Sequence, residues 1–273
     1  MTTGARAVDI VRFDHDGHAA VQDVAATEEP LELRLGGQPF VVIMRTPGAD
    51  LHLATGFLLS EQLIREPDDV SAMRYCTDAD GRDTDNVLNI WLHGAASVRA
   101  QTALASRRHV TANSACGVCG RRSIDDLMEG SHRVDSELVV SRQIIEQLPA
   151  ALRSVQQTFD QTGGLHAAAL FDAAGTRLGF AEDVGRHNAV DKVIGEAFAS
   201  GRLPLSNHIL FVSGRTSFEI VQKAVVAGLP IVAAVSAPSS LAIELAREAN
   251  LTLLGFVRGH SFNIYSVATR VTE

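Results

Sequence analysis

Residues 208–259 read HILFV SGRTS FEIVQKAVVAG LP IVAAV SAPSS LAIELAREAN LTLLGFVRG. Three short runs in it, His208–Val212, Ile231–Val235 and Leu251–Phe256, are rich in β-branched and aromatic residues and predict strands. The stretches Ser217–Gly228 and Ser240–Asn250 between them predict helices. Strands alternating with helices make βαβ units, which build a largely parallel sheet covered on both faces. Working upstream, Leu165–Phe171 predicts a further strand and Ala189–Ser200 a helix. Ser141 to about Phe159 predicts one long helix, with apolar residues at 144, 145, 148, 152 and 155.

Nearer the N-terminus the pattern changes. Val8, Ile10 and Arg12 alternate, as do Leu31–Leu35, and Phe40–Met44 is a continuous apolar run. All three predict strands, and Gly36-Gly37 predicts a hairpin turn. Pro47-Gly48-Ala49-Asp50 opens a helix that should reach about Ile64 and stop at Pro67. Val87–Leu92 predicts another strand. The expected fold is therefore α/β, with an α+β N-terminal part, 1–134, ending after the Cys116 loop, and an α/β part, 135–273.

Composition excludes several classes. The chain has 273 residues, 46% hydrophobic and 21% charged, an ordinary globular balance that rules out general disorder. A chain of this size buries roughly three-quarters of its unfolded surface without staples. The net charge of −8 and the lack of a basic stripe argue against nucleic acid. No apolar run approaches the ~18 residues of a membrane span. Arg6, Asp9, Arg12 and Asp14 interrupt any signal-peptide core. Three cysteines do not make a disulfide framework, so a cytoplasmic location is expected.

Cys116-Gly117-Val118-Cys119-Gly120 is the sharpest chemical feature. Two intervening residues bring both sulfurs to one side of a tight turn. Arg121 and Arg122 follow, and Ser123 is placed to cap a short helix; positive charge and a helix N-terminus both favour thiolate. A nucleophilic or sulfur-carrying pair is the first reading. A zinc site completed by His109 and His132, a thioredoxin-like redox pair and an inert structural pair remain open beside it. Cys76 reads as a small buried hydrophobe.

The predicted strand ends lead into Ser213-Gly214-Arg215-Thr216-Ser217, Ser236-Ala237-Pro238-Ser239-Ser240 and Val257-Arg258-Gly259-His260-Ser261. Ligands of open α/β sheets bind beyond the carboxyl ends of strands. Helix N-termini there favour anions, and Arg215 and Arg258 add fixed positive charge. Together the three loops point to an anionic, nucleotide-like ligand. Glu182-Asp183-Val184-Gly185-Arg186-His187-Asn188 is dense in polar groups, with His187 the first candidate acid or base. A solvated loop with internal ion pairs is the competing reading. A zinc deaminase is excluded as a reaction: Leu165-His166-Ala167-Ala168 has alanine where the catalytic glutamate belongs.

These motifs, in this order, resemble the FdhD family of formate dehydrogenase accessory sulfurtransferases. The resemblance rests on the Cys116–Gly120 loop, the Glu182–Asn188 segment, Ser213-Gly214-Arg215 and Gly255–Ser261, and runs from about residue 30 to the C-terminus. It implies a cytidine-deaminase-like, three-layer C-terminal domain beside a smaller α+β domain. It implies an enzyme, a sulfurtransferase with a cysteine persulfide loaded by an IscS-type cysteine desulfurase. The sulfur would pass to the molybdenum cofactor, in its bis-molybdopterin guanine dinucleotide form, before insertion into formate dehydrogenase. Cys116 would carry the persulfide and Cys119 assist. Phe256, Val257, Arg258, Gly259, His260 and Ser261, with Ser213, Gly214, Arg215 and His187, would hold the cofactor or a GDP-like nucleotide. A homodimer is also implied. The competing function is a cofactor-binding chaperone with no sulfur chemistry.

Overall fold

The structure is a computed structural model that describes residues 4–15, 17–77, 83–107 and 133–273. The Cys116–Cys119 loop, with His109, Ser123 and His132, lies outside the described residues. The alternating strands of the C-terminal half form one six-stranded sheet. Its members are β8 (His166–Asp172), β9 (Arg177–Asp183), β10 (His208–Val212), β11 (Ile231–Ala234), β12 (Thr252–Arg258) and β13 (Ser261–Ser266), in the order β13-β12-β11-β10-β8-β9. Only β10, β11 and β12 run parallel; β8, β9 and β13 are antiparallel to their neighbours. The expectation of a largely parallel sheet is corrected accordingly. The difference comes from two hairpins. At the first, Asp172 accepts from the backbone N–H groups of Ala174 and Thr176 and reverses the chain. At the second, Gly259 (φ 54°) turns β12 back as β13.

Side chains alternate across this sheet into two apolar layers. Ala167, Phe171, Ile209, Phe211 and Ile231 pack on one face with Ile145, Leu148 and Leu152 of helix α3 (Arg142–Arg153). Ala168, Leu170, Leu210, Val212 and Val232 pack on the other face. There they meet α5 (Arg186–Ala199), α6 (Phe218–Val226) and α7 (Ser240–Glu248). The result is a helix–sheet–helix sandwich of three layers.

The N-terminal half begins with a hairpin, β1 (Ala5–Asp14) and β2 (Gly17–Ala26). A four-stranded sheet follows, from β3 (Glu29–Leu35), β4 (Gln38–Arg45), β5 (Val70–Thr77) and β6 (Asp83–Leu92), ordered β4-β3-β6-β5. Gly36 and Gly37, at φ 57° and 86°, turn β3 into β4 as predicted. β3 and β6 pair in parallel, the one parallel contact in this sheet. Helix α1 (Asp50–Ser60) stops short of the expected Ile64. Gln62 adopts φ 57°, and the N–H groups of Gln62 and Leu63 return to Leu59 and Leu58 in a Schellman-type ending. That ending turns Leu63 and Ile64 back into the core. Helix α2 (Gly94–Arg107) follows β6.

The two halves share one apolar cluster. Leu31, Leu33, Leu53, Leu58, Leu88 and Ile90 belong to the same cluster as Val190, Ile194, Ile220 and Leu245. Its tightest contact is the crossing of α1 with α5. A Cβ placed on Gly56 would lie 2.0 Å from the carbonyl oxygen of Asp191, and one on Gly195 would lie 1.9 Å from that of His52. Only glycine lets the two backbones meet this closely. Charged groups close the crossing: Lys223 Nζ lies 2.8 Å from both carboxylate oxygens of Asp191, which also accepts from Ser60 Oγ at 3.1 Å.

The predicted helix 141–159 is two helices, α3 and α4 (Gln157–Thr162). The break lets the Thr158 and Phe159 N–H groups reach the Glu182 carboxylate, at 3.1 and 2.8 Å. A carboxylate at that end is favoured by the helix dipole as well as by the hydrogen bonds. The last strand, β14 (Val271–Thr272), pairs with β7 (Val140–Ser141). No helix of the described residues is long and apolar enough to cross a membrane.

Candidate functional site

The parallel direction of β10, β11 and β12 puts their carboxyl ends on one edge of the sheet, and strand pairing brings two more elements there. His166, at the start of β8, pairs with Asp183, at the end of β9. Ala168 pairs with Val212, at the end of β10. His166, the 183–187 turn and the three predicted loops therefore share one edge. The loops are stitched together by backbone bonds: Thr216 N–H donates to Ala237 O, Ser239 N–H to Thr216 O, and Phe256 N–H to Ser236 O. Ser213 N–H bonds Ala167 O, and Ser213 Oγ accepts from Ala167 N–H at 2.8 Å.

Positive charge collects at this edge. A Cβ on Gly214 would sit 3.1 Å from His166 Nδ1 and 4.0 Å from the Cβ of Arg186, so the bare backbone of Gly214 forms the floor under the imidazole. Burial holds the His166 imidazole below its ordinary range, and Arg186, His187 and Arg215 push it further down, against a smaller pull from Asp183. Each of these downward influences favours the neutral imidazole. Two polar atoms here are buried without a hydrogen-bond partner among the described residues, Thr216 Oγ1 and Arg186 Nε. Thr216 is only 1% exposed. Ser217, the residue before α6, does not cap that helix. Its hydroxyl instead lies 2.9 Å from His187 Nε2, which also meets Glu219 Oε2 at 2.9 Å. The first turn of α6 thus carries the buried Glu219 carboxylate held to His187, and the unpartnered Thr216 hydroxyl and the exposed Arg215 just before it are the groups suited to an oxyanion.

The Glu182–Asn188 segment acts chiefly as a clasp. Asp183 accepts from Thr46 N–H (3.1 Å), Gly185 N–H (2.8 Å) and Asn188 Nδ2 (2.8 Å), and pairs with Lys192 at 2.7 Å. Lys192 Nζ donates to Thr46 O, Asn188 Nδ2 to Met44 O, and Val184 N–H to Thr46 Oγ1. These bonds lock the turn to the end of β4 and leave Arg186 and His187 at the site.

The C-terminal loop divides. Phe256 holds a left-handed φ of 55° at a register shift in β12, a strained state for an aromatic residue. Arg258 stands over its ring at 5.9 Å and donates Nε to Val235 O at 3.0 Å. Val257 turns away into the layer under α3. Gly259 and Ser261 build the turn, Ser261 Oγ donating to Arg258 O. The His260 ring meets Glu146 of α3 at 3.0 Å, and Arg142 holds the His260 carbonyl. The structure therefore brings together Ser213, Gly214, Arg215 and His187 and keeps Val257 in the core. The sequence reading missed Arg186, Thr216 and His166 as members of the site. The signal for Arg186 was its place at the first turn of a helix beyond a strand end.

Comparison with known proteins gives the same architecture and a family. A crystal structure from Desulfotalea psychrophila, provisionally described as a formate dehydrogenase accessory protein, superposes with a TM-score of 0.76 at 20% identity, covering 99% of this chain and all of that one. A protein of Nocardia farcinica named sulfur carrier protein FdhD is 50% identical over 270 residues, 96% of this chain and 93% of its own length. One of the same name from Streptomyces coelicolor is 47% identical over 267 residues, 96% of this chain and 94% of its own. The pattern of the FdhD/NarQ family matches residues 26–272, and the chain belongs to that family.

Proposed function

We propose that this protein is a sulfur carrier that serves formate dehydrogenase. It takes sulfur as a persulfide on Cys116 from an IscS-type cysteine desulfurase. It passes that sulfur to the molybdenum cofactor, in the bis-molybdopterin guanine dinucleotide form, before the cofactor enters the dehydrogenase. The observation that carries this reading is the 47–50% identity, over nearly the whole chain, to proteins named sulfur carrier protein FdhD. The Cys116–Cys119 pair supplies the nucleophile that name requires. The cationic strand-end edge, with Arg186, Arg215 and the unpartnered Thr216 hydroxyl, suits the phosphates of the guanine nucleotide arms.

The chemistry balances within the pair. The Cys116 thiolate attacks the terminal sulfur of the donor persulfide. One S–S bond breaks, one forms, and the desulfurase thiolate leaves. For delivery, the Cys119 thiolate attacks Cys116 Sγ, a Cys116–Cys119 disulfide forms, and the outer sulfur departs as hydrosulfide to the metal. The two cysteine sulfurs supply both electrons, and an external thiol restores them.

The test is peptide mass spectrometry after incubation with a cysteine desulfurase and cysteine. A reductant-labile gain of one sulfur on the peptide carrying Cys116, lost in Cys116→Ala, is the expected result. No gain, with the desulfurase active on another acceptor, would overturn sulfur transfer and leave a cofactor-binding chaperone.

A further inference from the structure

His187 of α5 and Glu219 of α6 face each other where the two helices begin. His187 Nε2 lies 2.9 Å from Glu219 Oε2 and 2.9 Å from Ser217 Oγ. One turn further along both helices, Lys223 holds Asp191 at 2.8 Å. The helices are therefore joined by two stacked pairs, and the lower pair fixes the spacing that the upper one uses. A carboxylate in the first turn of α6 is favoured by the helix dipole. The dipole does not require burial, yet Glu219 is only 7% exposed, and a carboxylate that deep needs polar partners. The pair also decides where the ring carries its proton. An imidazole is ordinarily the stronger base of the two, and an ionised carboxylate only accepts. Nε2 thus bears the hydrogen and shares it between Glu219 Oε2 and Ser217 Oγ. A nitrogen in that state cannot take the Ser217 proton, so Ser217 is no activated nucleophile. The lone pair of the neutral ring lies on Nδ1. Nδ1 makes no hydrogen bond among the described residues, and the His187 side chain is 20% exposed. It is the ring atom left to a ligand.

We propose that Glu219 is a positioning residue that keeps the His187 proton on Nε2, so that an oxyanion bound at the strand-end edge draws a second proton onto Nδ1 and is held by it. The proposal rests on the reading of that edge as a phosphate site. An unprotonated Nδ1 is an acceptor and repels a phosphate oxygen; once protonated it becomes a charge-assisted donor. The proton comes from solvent, one N–H bond forms at Nδ1, and the resulting imidazolium lies between the ligand anion and the Glu219 carboxylate, both of which favour it. The other charged and titratable groups around the ring are His166 of β8, with Arg215 and Asp183 near it, and Arg186 and Asp191 of its own helix. Asp191 is already held by Lys223 and Ser60. The cationic neighbours oppose a second proton on His187, which leaves Glu219 and the ligand to supply what overcomes them.

Proton–nitrogen correlation NMR of the isotopically labelled full chain tests this, with the His187 signals identified by their loss in His187→Gln. At about pH 8, above the ordinary imidazole value, Nε2 is expected to be the protonated nitrogen and Nδ1 the bare one. Inorganic pyrophosphate should move Nδ1 to the protonated shift at unchanged pH. Glu219→Gln keeps an oxygen for the Nε2 proton and should hold it there, whereas Glu219→Leu should let it distribute between the two nitrogens. Calorimetry with pyrophosphate separates positioning from simple charge. Loss of a negative charge beside an anion would by itself tighten binding. Because the carboxylate supports the imidazolium, Glu219→Gln should instead weaken binding about tenfold, the worth of one charge-assisted hydrogen bond. A bare Nε2 in the parent would overturn the proposal. So would an Nδ1 signal unmoved at saturating pyrophosphate, or a Glu219→Gln variant that binds as tightly as the parent or more so; each leaves the phosphate site standing. No binding of pyrophosphate by the parent would remove the phosphate site and the proposal with it, while sulfur loading on Cys116 is read separately. Circular dichroism of each variant shows that it is folded.

Discussion

Asp183 Oδ2 and Lys192 Nζ meet at 2.7 Å at the seam between the two sheets, and neither side chain reaches water to any useful extent. Asp183 also fixes the backbone of Thr46 and Gly185, so one carboxylate joins β4, β9 and α5. Removing it strands a buried ammonium. Asp183→Ala is expected to cost about 3–5 kcal/mol in urea unfolding. An Asp183→Asn/Lys192→Met pair should recover a substantial part of that, because no buried charge remains. A loss below about 1 kcal/mol in the single variant, the size of a surface ion pair, would show that the clasp carries little stability.

The α1–α5 crossing is open to a sharper test. Alanine at Gly56 or Gly195 places a methyl group within 2.0 Å of a carbonyl oxygen on the opposite helix. Helix propensity alone would favour alanine by about 1 kcal/mol. Overpacking reverses the sign, and each variant should lose about 3 kcal/mol or more. A melting temperature at or above that of the parent would contradict the crossing as described.

Anion binding should separate the two arginines. Arg215 is exposed and adjoins the unpartnered hydroxyl of Thr216, whereas Arg258 has already committed Nε to Val235 O. In calorimetry with GDP, Arg215→Ala is expected to weaken binding about tenfold or more, the worth of one charge-assisted hydrogen bond. Arg258→Ala should weaken it less. Equal affinity in the parent and Arg215→Ala would remove Arg215 from the site.

Stability should fall on mild acidification. Burial holds the imidazoles of both His166 and His208 below their ordinary value. Between the folded and unfolded values the unfolded chain binds more protons, so their contribution is complete above about pH 6.5 and is lost as pH drops below it. Thermal melts at pH 7.5 and 5.5 should differ, and a His166→Asn/His208→Asn variant should show a smaller difference. Glu146 and Asp172, both held below the carboxylate range by hydrogen bonds, lose their contribution only in a lower window, as pH falls through the carboxylate values. In an NMR titration, inorganic pyrophosphate should raise the His166 midpoint by offsetting Arg186 and Arg215. No movement would place the anion elsewhere.

Local signals made much of this legible. Strand β10 and the turn at Gly36-Gly37 follow from nearest-neighbour chemistry, and the structure matches them residue for residue. The loops at Ser213 and Ser236 were found because strand ends before helices share an edge. Features set at a distance were missed. The N–H groups freed at the break between α3 and α4 find their acceptor in Glu182, more than twenty residues downstream. Strand β9 carries a glycine, Gly179, in its interior and is held by pairing with β8. Val257 matched the site motif, but strand alternation turns it inward. His260 matched it too, and its ring found Glu146 on a helix no local pattern connects to it.

The glycine crossing also has a history in time. Gly56 and Gly195 are 139 residues apart in the chain. At roughly 5–20 residues per second, the ribosome delivers α5 about 7–28 s after α1. Through that interval β3, β4, α1 and β6 have only one side of their shared core, and the α1 surface around Gly56 stays bare. Helix α5 is the delayed keystone of the nascent chain, and a pause before residue 186 lengthens the period in which the emerged half needs a chaperone's shelter.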